Sequence, residues 1–159
     1  MRVTIAAVGR LKDGGERVLV DRYLDRLALA KSIGIAPVRE VEVGEGRGAL
    51  PADRRIDEAT RLAKAVAEAD ALVVLDPKGR SLTSEAFAAW LGARRDAGTR
   101  HMAFVIGGPD GHGAELLARS ALTLAFGAMT LPHGLARVVL AEQIYRAVTI
   151  LLGHPYHRG

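Results

Sequence analysis

The stretch HMAFVIGGPDG, residues 101–111, decides the fold. Met102 to Ile106 is an unbroken apolar run, too short for a helix, and two glycines and a proline follow at once. This pattern predicts a buried strand over 101–108 that ends in a tight loop. A strand without polar alternation is covered on both faces, as in a parallel sheet flanked by helices.

The same reading repeats outward. VTIAAV (3–8) and ALVVLD (71–76) are further short apolar runs, VREVEV (38–43) alternates after Pro37, and residues 121–126 read as a strand. Between them lie helical spacings. One covers 16–30, with Val20, Leu24 and Leu27 on a stripe, and one covers 53–69 behind an N-cap at Asp53. Another covers 84–98, capped by Thr83 or Ser84 and closed by Gly98. A short helix is expected over 112–120 and a long one over 135–152. Strands separated by helices predict an α/β fold with a mostly parallel sheet flanked by helices. At 159 residues, with no repeat and no linker, the chain reads as one domain, 1–159.

Composition narrows the chemistry. Hydrophobic residues make up 49% and charged residues 25%, an ordinary globular balance. The absence of cysteine excludes disulfides, thiolate metal sites and a cysteine nucleophile. No apolar run approaches the length that spans a membrane, and the N-terminus lacks a leader pattern, so a cytoplasmic protein with no membrane partner is expected. The net charge of +4, with arginine outnumbering lysine, is compatible with a polyanionic partner such as nucleic acid and equally with a plain basic surface.

In open α/β sheets ligands bind beyond the carboxyl ends of the strands. Three such ends run into loops of glycine or proline: LDPKG (75–79), IGGPDG (106–111) and AFGAMTLPHG (125–134). Each reads as a plain turn or as backbone free to approach a ligand. The dinucleotide pattern G-x-G-x-x-G, the phosphate loop G-x-x-x-x-G-K-[ST] and the nucleophile elbow G-x-S-x-G are all missing, which disfavours a nicotinamide dehydrogenase, a P-loop NTPase and an α/β hydrolase.

The last helix carries Val138, Ala141, Tyr145, Val148 and Leu152 at spacings of three and four, a stripe for the core or for a partner helix. Glu142 and Arg146 are spaced as an i,i+4 pair. Beyond Gly153 comes HPYHRG (154–159), stiffened by Pro155 and carrying His154, Tyr156, His157 and Arg158. No carboxylate or cysteine accompanies the histidines, so no metal is expected. A ring, a guanidinium and imidazoles suit RNA by stacking and by pairing with phosphate. Read alone, the segment is a poorly ordered end before it is an RNA contact.

Taken together, LDPKG, VIGGPDG, TLPHGLARVVLAEQIYRA and the terminal HPYHRG resemble, in this order and spacing, the SPOUT-class methyltransferases of the ribosomal RNA large subunit methyltransferase H family, which act on a pseudouridine of bacterial 23S ribosomal RNA. The resemblance spans the whole chain and departs at IDEAT (56–60), where a Lys-Glu-Gly pattern is expected. It implies a single-domain SPOUT fold with a C-terminal trefoil knot, the knotted part covering roughly 71–152 and a catalytic tail 154–159. It implies S-adenosyl-L-methionine as cofactor, a homodimer, and 23S ribosomal RNA within the assembled ribosome as partner. Carried over by motif, Leu75, Gly107, Phe126, Gly127, Ala128, Met129, Thr130 and Leu131 contact the cofactor. His154, Tyr156, His157 and Arg158 form the catalytic set, Arg146 and Arg158 contact RNA, and no metal takes part. His157 is the candidate proton acceptor. The tail serves its own pocket or that of its partner. The alternative is a non-catalytic RNA- or ribosome-binding module of the same fold.

Overall fold

In the computed structural model, which describes residues 1–157, the chain begins with β1 (Arg2–Val8), α1 (Gly15–Arg26), a 3-10 helix (Leu27–Ile33), β2 (Val38–Val43) and α2 (Pro51–Ala65). It continues through β3 (Ala71–Ser81), α3 (Ser84–Asp96), β4 (His101–Ile106), α4 (Ala114–Ala118), β5 (Leu122–Ala125) and α5 (His133–Leu151). The five strands form one sheet in the order β2-β1-β4-β3-β5, and every pairing is parallel. All six residues of β4 are buried, as its unbroken apolar run requires. Helices cover both faces. Phe87 and Leu91 of α3 and Leu140, Ile144 and Val148 of α5 pack on Ile5, Val73 and Phe104. On the other face Leu62 of α2 and Leu116 of α4 pack on Val8, Val74 and Val105.

The ten expected elements are all present, and several boundaries move for physical reasons. β3 does not stop at Asp76 but continues to Ser81, because β5 pairs first with Val73–Leu75 and again with Arg80 and Ser81 across an irregularity. The LDPKG segment is thus a bulge in a strand, not a loop leaving it. Gly79 allows this: a Cβ there would lie 2.7 Å from the Thr123 backbone. β4 ends at Ile106, leaving Gly107 and Gly108 in the loop. The helix from residue 16 stops at Arg26 and tightens to 3-10 geometry. α2 begins at Pro51, so Asp53 sits in its first turn where it faces the positive helix end, and does not cap it. α4 is only five residues long. Thr83 caps α3 through a hydrogen bond from the Ala86 amide. On α5 the buried stripe contains Ala141, Ile144, Tyr145 and Val148, adds Arg137 and Leu140, and leaves Leu152 exposed. Among the described residues no helix is long and apolar enough to cross a membrane, and none of their side chains cluster as a metal site.

Candidate active site

A cavity of about 670 Å³ opens beyond the carboxyl ends of β4 and β5 and beside the bulge of β3. Its size suits a nucleoside-sized ligand. Leu75 and Gly107 line it, as do Phe126, Gly127 and Met129 to Leu131; Ala128 does not. Three adjacent parallel strands deliver these segments to one place, which is why residues up to 56 positions apart share a wall. Most of the wall is apolar or bare backbone. Asp76 adds a carboxylate, and its Oδ1 already accepts from the Lys78 amide at 2.8 Å.

The loop 107–111 is braced from behind. Arg54 of α2 pairs with Asp110 at 2.8 Å, and Glu58, almost fully buried, accepts from the Gly46 amide at 2.9 Å. A Cβ on Gly108 would collide with the Glu58 carboxylate, so only glycine lets α2 pack this close. His112 lies over Gly107 and bonds the Leu75 carbonyl at 2.7 Å. The last cavity segment runs into α5, whose Arg137 is fully buried. That guanidinium bonds Glu42 at 2.7 Å, Glu40 at 3.3 Å and the Val8 carbonyl at 2.7 Å, pinning the start of α5 to the ends of β1 and β2.

The tail lies elsewhere. Gly153 turns the chain out of α5 with φ +64, and the His154 amide bonds the Thr149 carbonyl. The His154 ring is exposed and accepts from the Tyr156 amide at 3.1 Å, a local turn contact. Tyr156 packs edge-on against Tyr145 with centroids 4.7 Å apart, and its hydroxyl donates to Glu142 at 3.2 Å. Arg146 bonds the same carboxylate at 2.6 Å and lies 5.0 Å from the Tyr156 ring centre. His157 Nε2 sits 2.8 Å from Glu85 Oε1, at the start of α3, and its Nδ1 lies 3.5 Å from Arg146. Burial first, then hydrogen bonding with Tyr23, holds the Tyr156 phenol well above its ordinary pKa, so it stays protonated and donates. None of His154, Tyr156 or His157 lines the cavity. Arg158 lies outside the described residues.

The family model "Predicted SPOUT methyltransferase" matches residues 1–157. The chain is a member of the SPOUT methyltransferase family. It is 52% identical to a protein of Rhizobium etli named "Ribosomal RNA large subunit methyltransferase H", over 99% of each chain. It is 51% identical to a protein of Rhizobium meliloti of the same name, over the full length of both. Among solved structures, a probable methylase family protein from Haemophilus influenzae superposes with a TM-score of 0.52 at 10% identity, covering 99% of this chain and 70% of that one, a likeness of fold.

Within this SPOUT chain, several supporting side chains carried no readable signal. Glu58 is one acid among many on an amphipathic helix, and Glu85 lies 72 positions from its tail contact. His112 adjoins GGPDG but has no spacing that marks it. Glu142 was legible as the partner of Arg146, though not as the point where the tail docks.

Proposed function

We propose that this chain methylates N3 of a pseudouridine in large-subunit ribosomal RNA, with S-adenosyl-L-methionine as the donor. Family membership and the named relatives support the reaction class, and the strand-end cavity is the observation that carries the cofactor site. The cavity fits that cofactor. Its apolar walls and glycine-bearing loops suit an adenosine, and the Asp76 carboxylate suits a cationic sulfur. The family's knotted crossing would gather the three loops more tightly, which a single sheet topology does not require. Leu75, Gly107 and the segment 126–131 are the proposed cofactor contacts.

When bound, the cofactor supplies a methyl group on a positively charged sulfur, activated for displacement. The chain supplies orientation and proton handling. N3 of the base is a weakly acidic imide whose proton must leave. His157 is the proposed acceptor, because an imidazole nitrogen can take up a proton. Tyr156, kept protonated, donates and does not accept the proton. Arg146 and Arg158 are proposed to meet the phosphate and the carbonyl oxygens where charge develops.

His157 rests on Glu85, outside its own chain's cavity. This position supports a homodimer in which the tail of one subunit completes the cavity of the other; the proposed substrate is the assembled ribosome, in the cytoplasm. The experiment is transfer of labelled methyl to ribosomes whose target pseudouridine is unmethylated, comparing the full chain with one ended after Gly153. The full chain labels the large-subunit RNA, and the shortened one falls by at least about a hundredfold while still binding cofactor. Ribosome binding without labelling by the full chain would favour the non-catalytic module.

A further inference from the structure

His112 makes two contacts that no motif assigns. Its Nε2 lies 2.7 Å from the Leu75 carbonyl oxygen. A carbonyl only accepts, so Nε2 carries the hydrogen and the ring is the Nε2–H tautomer. Its Nδ1 is buried and has no partner among the described residues. The ring also lies flat to the glycine loop: a Cβ on Gly107 would come 2.9 Å from Cε1 and 3.1 Å from Nδ1. One imidazole therefore spans two cavity walls. The β3–β4 ladder makes its last pairing at Leu75 with Ile106, and beyond it the backbones part to form the cavity. The imidazole supplies one further tie past the end of that ladder.

We propose that His112 is a positioning residue for the cofactor, holding the Leu75 carbonyl and the Gly107 backbone at the separation that admits the nucleoside. Burial, the largest influence, pulls its pKa below the ordinary 6.5, opposed by the Leu75 carbonyl and by the nearby Asp76 and Glu58 carboxylates. The neutral ring thus braces the wall without adding positive charge beside a cationic ligand. Leucine would fill the space without donating. Glutamine places an amide N–H near the Nε2 position, and asparagine is too short to reach.

This inference rests on reading the cavity as the S-adenosylmethionine site, and the test separates the two. Calorimetric titration of the full chain with S-adenosylmethionine, without RNA, should show His112→Leu about tenfold weaker than wild type. His112→Gln should return to within about threefold. In the transfer assay His112→Leu should raise KM for the cofactor and leave KM for ribosomes unchanged. Where the leucine variant does not fold, His112→Asn replaces it with the same expected weakening. Leucine binding as well as wild type, or glutamine binding as poorly as leucine, overturns the proposal while leaving the site in place. Absence of binding by the wild-type chain overturns the cofactor reading and this inference together.

Discussion

The cavity draws its walls mainly from glycine, proline and aliphatic residues at the bulge of β3 and the ends of β4 and β5, whereas the tail dock draws on Glu85, Glu142, Arg146 and Tyr145 of two helices. The first is assembled by the sheet itself, so a single chain carries it whole. The second holds the side chains proposed as catalytic through side-chain contacts alone: one carboxylate shared by a guanidinium and a phenol, and one imidazole set against an exposed acid. On the proposed function, the contrast divides the work between a cofactor site held by the sheet and a tail held by side-chain contacts.

Arg137 offers the hardest blow to the cavity side. Replacing it with methionine takes the guanidinium from Glu42 and the Val8 carbonyl and leaves Glu40 with Arg17 alone, and thermal or urea unfolding should show a loss of about 3 kcal/mol. At the tail the expected effect is kinetic. Glu142→Ala frees both Arg146 and Tyr156, so methyl transfer should drop roughly a hundredfold with cofactor affinity unchanged. A matching loss of cofactor affinity would erase the distinction between the two regions. Gly79→Ala tests the bulge of β3: its methyl meets the Thr123 backbone, and unfolding should register a cost of about 1–3 kcal/mol together with weaker cofactor binding.

The smallest effect is one of pH. His112 has its folded-state pKa lowered from 6.5 by burial, so the unfolded chain takes up that proton first. Stability from this group is complete above pH 6.5 and is lost as the pH falls from there towards the lowered value. Unfolding curves of His112→Gln across that window should be flatter than those of wild type.

Much of this arrangement was legible in the residues. Short apolar runs and, for β2, the alternation of VREVEV marked all five strands, and Gly98, Gly153 and Thr83 marked helix ends through local chemistry that needs no tertiary context. Strand ends followed by glycine or proline marked the loops, the family resemblance singled out Leu75 and Gly107, and both line the cavity. The continuation of β3 past Pro77 was not, since it depends on β5 pairing more than 40 positions later. Nor was the buried guanidinium of Arg137, which reads as one more charge on a helix until β1 and β2 close around it. Family resemblance supplied roles for the tail, but the acids that hold it belong to segments whose periodicity shows only a helix surface.

The most direct test mixes two defective chains. One carries Gly107→Val, which crowds the cavity against His112, and the other ends after Gly153. If the tail serves the partner's cavity, each mixed dimer holds one complete site, and an equal mixture should recover about a quarter of the intact rate. No recovery, from chains shown to exchange subunits, would contradict the account and place tail and cavity in the same subunit.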